Sequence, residues 1–289
     1  MTETEFDFVR TLLKARAGLA LSPEKRYLVE SRLAPVCRRF NAASLSDLIA
    51  RLKAGHEADV ERSVVEAMTT NETFFFRDRA PFDLFQKVLL PHFLAARASR
   101  RRIRIWCAAA STGQEPYSLA MLLDQREAEL ASWRIEILAT DISSEVLERA
   151  KAGCYSQFEV QRGLSTPLLL KYFTQNGEQW QIAPAVRARI EFRTLNLIHD
   201  FSHLGQYDLI FCRNVLIYFD TPTKAGVLQR LADILPDDGM LVLGAAETVI
   251  GLTDAFVPHR EHRGIYVPKR SGTRASSAAQ VAAGHLWPM

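Results

Sequence analysis

The stretch RIRIWCAAASTGQEPYS, residues 102–118, decides the fold. Residues 103–108 are a short apolar run with the length of a buried strand. Small residues follow, and a helix is predicted to begin near Pro116, because proline is favoured in the first turn of a helix. A buried strand that turns through small residues into a helix is the repeating unit of an α/β fold.

Apolar runs farther along the chain repeat this unit. Further strands are predicted at residues 135–140, 207–212 and 240–244. Helices are predicted at residues 115–126, 143–151 and 221–235. The alternation predicts a Rossmann-like α/β domain over residues 79–270, with a parallel sheet covered by helices on both faces.

The segment before this domain contains helical patterns only. Residues 1–70 keep apolar residues at helical spacing, as at Phe6 and Val9, and predict an all-helical N-terminal domain. Pro35 is expected to kink its second helix or to split it in two. Residues 71–78 form a linker between the two domains.

Two further segments interrupt the α/β pattern. Asn176-Gly177 lies between two strand-like stretches, which is a hairpin signal, so we predict a small antiparallel β insertion at about residues 153–192. Residues 271–289 are rich in Ser, Ala, Gly and Arg. They predict a flexible tail.

The composition excludes several classes of protein. Of the 289 residues, 48% are hydrophobic and 24% are charged, which is typical of a globular protein. The apolar runs are far shorter than the ~18 residues of a spanning helix, and the acidic start is no signal peptide, so we expect a cytoplasmic protein without membrane insertion. The four cysteines form no CxxC pair, so we expect no metal site and no disulfide framework. A net charge of +3 does not by itself imply nucleic-acid binding.

The ligand crevice of such a sheet lies beyond the carboxyl ends of its strands. After the first strand, Gly113 and its small neighbours would let a ligand approach the backbone, and the following helix offers free N–H groups to a carboxylate. A plain strand-to-helix turn explains that stretch equally well. After the second strand, Asp141 would accept hydrogen bonds from a ribose diol, or would instead cap the next helix.

Two later strand ends carry further candidates. Asn196 and Leu197 would line an adenine pocket, although a polar loop residue beside a core leucine is the simpler interpretation. Arg213 and Asn214 follow directly after a buried strand, where unpaired polar groups are costly. Their position therefore favours a functional role.

Together these stretches resemble the CheR family of chemotaxis receptor methyltransferases. The decisive match is TTNETFFFRD, residues 69–78, which resembles the TTNxTxFFR segment that joins the two domains in that family. An aromatic linker packed on the core would explain this segment alone. It would not explain why the other motifs follow in family order over about residues 5–268.

The resemblance implies a protein-glutamate O-methyltransferase that transfers a methyl group from S-adenosylmethionine to receptor glutamates and releases S-adenosylhomocysteine. Arg77 would hold the methionyl carboxylate and Glu115 would face the ammonium group of the cofactor. Gln114 stands where relatives often carry Glu. The residues that match cofactor contacts, to which we add Gly113, are Asn71, Thr73, Arg77, Glu115, Asp141, Asn196, Leu197, Arg213 and Asn214.

The implied reaction needs little acid–base chemistry. A glutamate side chain, with a reference pKa of about 4.3, is already ionised at neutral pH, so no general base is required. Positioning and partial loss of water should provide most of the rate. With Arg77, Tyr218 is our candidate for the methyl-transfer region, and a core tyrosine with a satisfied hydroxyl is the alternative.

Charge clusters indicate how a partner would be recognised. Residues 25–39 carry a basic stripe against the single acid Glu30, which would steer the protein, as a monomer, onto an acidic receptor helix, or would be an ordinary solvated face. Residues 97–104 contain a second arginine run, which we expect at an exposed turn. The stripe consists of Lys25, Arg26, Arg32, Arg38 and Arg39.

In the family, the β insertion can dock a pentapeptide from the receptor's C-terminal end. Residues 172–192 look compact here, so we expect that tether to be weak or absent. One rival is a nucleic-acid methyltransferase, but the Asn/Asp-Pro-Pro-aromatic motif of amino-methylating enzymes is replaced by Cys212-Arg-Asn-Val-Leu. Another rival is a catalytically silent, cofactor-binding adaptor of the same family.

Overall fold

The computed structural model describes residues 1–269, so the predicted tail at residues 271–289 lies outside the described residues. The helices are α1 (Glu3–Ala17), α2 (Arg26–Arg39), α3 (Leu45–Ala54), α4 (Ala58–Met68), α5 (Ala80–Leu84), α6 (Leu90–Ala96), α7 (Gln114–Asp124), α8 (Glu127–Leu130), α9 (Ser144–Ala152), α10 (Gln157–Gln161), α11 (Thr166–Tyr172), α12 (Pro184–Arg187) and α13 (Thr221–Asp233). The strands are β1 (Arg102–Ala108), β2 (Arg134–Asp141), β3 (Cys154–Ser156), β4 (Phe173–Asn176), β5 (Gln179–Ile182), β6 (Ile190–Thr194), β7 (Leu209–Cys212), β8 (Met240–Leu243), β9 (Phe256–Pro258) and β10 (Ile265–Pro268).

The first four helices pack around a core of their own. Val9 and Leu13 of α1 belong to the same buried cluster as Val29 and Leu33 of α2, and all four side chains are fully buried. The helix α2 runs through Pro35 without a break, so the alternative of two separate helices is wrong. Pro35 is tolerated there because it lies on the exposed side of the helix and displaces no core side chain.

The main sheet has seven strands in the order β6-β2-β1-β7-β8-β10-β9. The first five are parallel, and β10 runs antiparallel to both β8 and β9. This confirms the predicted α/β sheet. The chain passes from β1 to β2 on one side and later returns to β7 on the other, so the strand order reverses beside β1 and opens a crevice there.

The predicted β insertion is a three-stranded antiparallel sheet in the order β3-β5-β4. The β4–β5 hairpin turns through Gly177 and Glu178, one position later than the predicted Asn176-Gly177, because Asn176 still pairs with Gln179. Gly177 adopts a positive φ of 61°, which glycine allows at the first turn position. The insertion strands end at Ile182, whereas β6, which starts at Ile190 inside the range expected for the insertion, pairs with β2 of the main sheet.

The arginine run before β1 contains a buried member. Arg97 is only 7% exposed, and its Nε lies 2.7 Å from Oδ1 of Asp208. Its Nη2 lies 2.6 Å from Oδ1 of Asp238, and these carboxylates raise the pKa of the guanidinium. The expectation that this residue marks an exposed turn is therefore wrong, because its ion pairs with two carboxylates far along the chain hold it buried.

Within residues 1–269, no helix is long and apolar enough to span a bilayer.

Candidate active site

A pocket lies at the carboxyl ends of β1, β2, β6 and β7, where the strand order reverses. Four predicted strand ends and the linker, separated by up to 140 residues of sequence, line this pocket together. The sequence-predicted residues on its wall are Asn71, Thr73, Arg77, Glu115, Asp141, Asn196, Leu197, Arg213, Asn214 and Tyr218.

Gly113 does not line the pocket. It precedes α7 with φ 93°, a left-handed conformation that favours glycine. A Cβ there would lie 3.0 Å from Cβ of Ala150 and 3.0 Å from the ring of Tyr117. Gly113 therefore allows the turn into α7 and its close packing.

Asp141, the last residue of β2, is buried and held by backbone amides. Its Oδ2 accepts the N–H of Ser111 at 2.9 Å, and its Oδ1 accepts the N–H of Ser143 at 3.0 Å. Burial raises its pKa, and the amide hydrogen bonds oppose this shift. The alternative role as a helix cap is wrong, because Ser143 caps α9 by accepting the N–H of Val146.

The linker is fixed against the sheet domain at three points. Phe75 is fully buried in the main core, Ser111 Oγ donates to the carbonyl of Asn71, and the N–H of Phe76 donates to Ser118 Oγ. Phe76 has φ 52°, a strained value for a bulky residue, which persists only because the neighbouring contacts fix it. This places Arg77 on the pocket wall, where its Nη1 donates to the carbonyl of Glu72.

Arg213 is the electrostatic centre of the pocket. Its side chain is 1% exposed, and it pairs at 2.7 Å with Glu115 through Nη1 and at 2.7 Å with Asp78 through Nη2. Burial raises the pKa of Glu115, and the neighbouring Arg213 opposes the rise. The Nε of Arg213 is buried without a partner in residues 1–269, and Oε1 of Glu115 accepts no hydrogen bond from them.

The helical domain completes the pocket, which the sequence did not indicate. Ala17 and Leu19, at the end of α1, line the wall beside Asn196. The side-chain amide of Asn196 donates to the carbonyl of Arg16 at 2.6 Å. Leu19 also forms a β-bridge with Phe219, so the end of α1 closes one side of the site.

Tyr218 lies half-buried on the same wall. Its carbonyl accepts the N–H of Ala20 at 2.9 Å. No hydrogen bond within the described part of the chain involves its hydroxyl, unlike a core tyrosine with a satisfied hydroxyl. The hydroxyl remains free to meet a ligand.

Sequence reasoning missed a second acidic residue at this end of the sheet. Glu247 is buried, and its carboxylate accepts N–H groups from the loop that follows β7. The signal in the sequence was a lone acid in Gly244-Ala-Ala-Glu247, directly after the apolar strand β8.

Comparison with known proteins shows which family this chain matches. Residues 71–265 match the model of the CheR methyltransferase, SAM binding domain, and residues 4–69 match that of the CheR methyltransferase, all-alpha domain. The chain belongs to the CheR methyltransferase family. The matches meet in the linker, so the family covers both units of the fold.

Curated CheR relatives support the assignment along most of the chain. Chemotaxis protein methyltransferase 1 of Pseudomonas aeruginosa is 41% identical over 256 residues, which cover 87% of this chain and 93% of the relative. The chemotaxis protein methyltransferase of Vibrio parahaemolyticus is 42% identical, with coverages of 90% and 94%. That of Salmonella typhimurium is 35% identical, with coverages of 89% and 88%.

The residues of the pocket fit S-adenosylmethionine, the cofactor of this family. The free oxygen of Glu115 suits an ammonium group, and the unpartnered Nε of the buried Arg213 suits an acceptor atom. Asp141 presents a carboxylate already oriented by two amides, as a ribose diol requires. Leu197 offers an apolar surface to a base.

Proposed function

We propose that this CheR methyltransferase esterifies glutamate side chains in the cytoplasmic helical region of chemotaxis receptors, as a protein-glutamate O-methyltransferase. The observation that carries the proposal is the pairing of a complete cofactor pocket with a charged groove beside it. The names of the relatives, chemotaxis protein methyltransferases, support the biological setting.

The groove lies between the helical domain and the α9–α10 region. It shares Thr69, Asn71, Glu72 and Thr73 with the cofactor pocket, so a side chain that enters from the groove would reach the reacting region. The groove carries four arginines, Arg32, Arg39, Arg149 and Arg162, and four glutamates, Glu66, Glu72, Glu145 and Glu159. Arg149 pairs with Glu159, Arg162 pairs with Glu72, and Arg32 donates to backbone carbonyls. Within residues 1–269 this leaves Arg39 without an ion pair, and we propose that it attracts the acidic partner.

The basic stripe, which runs from Lys25 along α2, divides into three groups. Arg32 donates to the carbonyls of Met68 and Thr69, so it braces the start of the linker. Arg26 is exposed but pairs with Glu30. The remaining members of the stripe are exposed and make no ion pair within residues 1–269, and we propose them as the docking face: Lys25, Arg38 and Arg39.

The side chains of the pocket would act by positioning. Bound S-adenosylmethionine supplies a methyl group on a positively charged sulfur. The incoming glutamate is ionised at neutral pH, so the pocket needs no base and must orient a carboxylate and exclude water. We propose that the hydroxyl of Tyr218 donates to one oxygen of that carboxylate and that Arg77 holds the carboxylate end of the cofactor.

Two properties of the interaction with receptors remain proposals. The first is that the protein acts as a monomer. The β4–β5 hairpin is short, with two residues between its strands, which supports a weak or absent tether to a receptor pentapeptide. Micromolar binding of that peptide in calorimetry would contradict the second proposal.

The direct test is methyl transfer to membranes that contain candidate receptors. Radiolabelled cofactor should yield receptor-bound label that base releases as methanol, because methyl esters are base-labile. The variant Asp141→Asn, which keeps the size of the side chain, should lose most of this activity. A wild-type protein that binds S-adenosylhomocysteine but labels no receptor would instead support the silent adaptor.

A further inference from the structure

The carboxylate of Glu247 accepts hydrogen bonds from an unusual number of backbone N–H groups. Its Oε1 accepts the N–H groups of Val215, Leu216 and Ile217 at 3.0, 2.8 and 3.3 Å. Its Oε2 accepts those of Asn214 at 2.7 Å and of Gly244 at 2.8 Å. One carboxylate, 8% exposed, thus satisfies five N–H donors.

Four of these donors are the consecutive residues 214–217, which lie in the segment 214–218 that we call the β7 loop. The loop contains a single 3₁₀ turn, Leu216–Tyr218. The first N–H groups of such a turn have no partner inside it and need an acceptor elsewhere. Glu247 provides that acceptor from a segment that follows β8, so the conformation of the β7 loop depends on a residue about 30 positions away.

The opposite face of the β7 loop is the wall of the cofactor pocket. Asn214, Val215 and Tyr218 all line the pocket, while the N–H groups of the loop point away to Glu247. Asn214 adopts φ 58°, a left-handed conformation that asparagine tolerates better than most residues other than glycine. The charge-assisted hydrogen bonds to the carboxylate stabilise that conformation.

Gly244 leaves room for this arrangement. A Cβ at Gly244 would lie 2.7 Å from Oε2 of Glu247 and 2.8 Å from the side-chain amide of Asn214. Carboxylate, loop and strand end are therefore packed in direct contact. A small displacement of the Glu247 carboxylate would be transmitted to the loop.

We infer that Glu247 is a positioning residue for methyl transfer, which fixes the β7 loop so that Asn214 and Tyr218 face the reacting groups. The inference rests on the proposed function, in which Tyr218 orients the methyl-accepting carboxylate. Glu247 itself lines no part of the cofactor pocket, so it acts through the loop.

Replacing Glu247 by glutamine tests this inference with little change in shape. A carboxamide keeps one acceptor oxygen and places an NH2 group against two or three of the N–H donors. A misplacement of reacting groups by about 1 Å lowers rates by on the order of 100-fold, so we expect kcat of Glu247→Gln to fall by roughly 10- to 100-fold. We expect KM for receptor and the affinity for S-adenosylhomocysteine to change much less.

Three companion variants separate positioning from stability. Glu261→Gln, the same substitution at an exposed glutamate, should behave as wild type. Glu247→Asp keeps both acceptor oxygens and should recover part of the lost kcat. Combining Glu247→Gln with Tyr218→Phe should lower kcat by less than the product of the two single effects, since both substitutions disturb the same contact.

Amide proton chemical shifts measure the hydrogen bonding of the β7 loop independently of any methyl-transfer assay. Hydrogen bonds to a carboxylate should move the amide protons of residues 214–217 downfield in the wild type, and Glu247→Gln should reverse this. A wild type inactive on receptors would count against the proposed function alone. Unchanged amide shifts in Glu247→Gln, a kcat within twofold of wild type, or effects that simply multiply with Tyr218→Phe would overturn the inference.

Discussion

The Nη1 atom of Arg213 lies 2.7 Å from Oε2 of Glu115, and this ion pair joins the residue after β7 to the first turn of α7. The two segments flank the point where the strand order of the sheet reverses. The pair therefore joins two walls of the pocket, and its removal should affect both stability and binding.

Arg213→Met should destabilise the protein by about 3 kcal/mol at neutral pH, because it leaves the largely buried carboxylate of Glu115 without its partner. Burial already raises the pKa of Glu115, so the unpaired group takes up a proton as the pH falls and the destabilisation should shrink. Urea unfolding of wild type and variant at several pH values measures this. Arg193→Met, at an exposed ion pair, is the control, and an equal loss there would contradict the account.

Asp141→Asn should weaken binding of S-adenosylhomocysteine by on the order of 10- to 100-fold, because the amide offers one acceptor oxygen where two are used. Isothermal titration calorimetry measures the change. Asp233→Asn, on the outer end of α13, is the matched control and should bind as wild type. Equal affinity of wild type and Asp141→Asn would remove Asp141 from the binding residues.

The affinity for the cofactor should also depend on pH through Asp141. Its folded-state pKa is raised by burial, so the carboxylate is protonated at a higher pH than an exposed aspartate. The ionised form accepts the ribose hydrogen bonds, so affinity should be full above the folded pKa and fall as the pH drops through it. Titrations at a series of acidic pH values should show this fall in the wild type, and a smaller one in Asp141→Asn.

The contact between the two domains should contribute to acid stability. Lys14 of α1 pairs with Asp220 at 2.6 Å, and Asp220 also caps α13 through Thr223. These contacts lower the pKa of Asp220 from 3.8 to about 2. Because the folded pKa is depressed, the stabilisation is present above the unfolded pKa and is lost as the pH falls from 3.8 to about 2.

Asp220→Asn tests this contribution by unfolding at pH 6 and at pH 3. The variant should be less stable than wild type at pH 6. The difference should decrease at pH 3, because the carboxylate of the unfolded wild-type chain is then largely protonated while the folded one is still mostly ionised. A difference that stays constant between the two pH values would show that the ion pair and cap contribute no charge-dependent stability.

The double variant Arg38→Glu, Arg39→Glu should raise KM for receptor methylation while leaving the affinity for S-adenosylhomocysteine unchanged. Charge reversal at exposed residues should slow the encounter with an acidic receptor without altering the cofactor pocket. The rate of methylation should also become less dependent on salt concentration. Steady-state methylation at low and high salt measures both effects. A variant with unchanged KM, or one that matches a charge reversal at the exposed Arg260, would exclude this docking face.

Much of the site could be predicted because it follows from the sheet. The carboxyl ends of parallel strands lie along one edge of the sheet. Asp141, Asn196 and Arg213 therefore converge because their strands lie close together in the order β6-β2-β1-β7. What could not be predicted depends on packing between distant segments. Leu19 reaches the pocket only through the docking of the helical domain, and Glu247 gains its role only when β8 lies beside β7.

Individual residues show the same limit. Arg97 looks exposed in a run of arginines, and its burial follows from partners 111 and 141 residues along the chain. Gly113 looks like a ligand-binding glycine from its place after β1, and the structure assigns it to the packing of α7 instead. A local pattern predicts where a segment lies, whereas the partners of its side chains are set by the whole fold.

The measurement that tests the central claim most directly is tandem mass spectrometry of receptor peptides after incubation with this protein and S-adenosylmethionine. The account predicts methyl esters on glutamate side chains, absent with Asp141→Asn and removed by mild base. Methyl groups on nitrogen atoms, or no methylation of receptors by a protein that binds the cofactor, would contradict it.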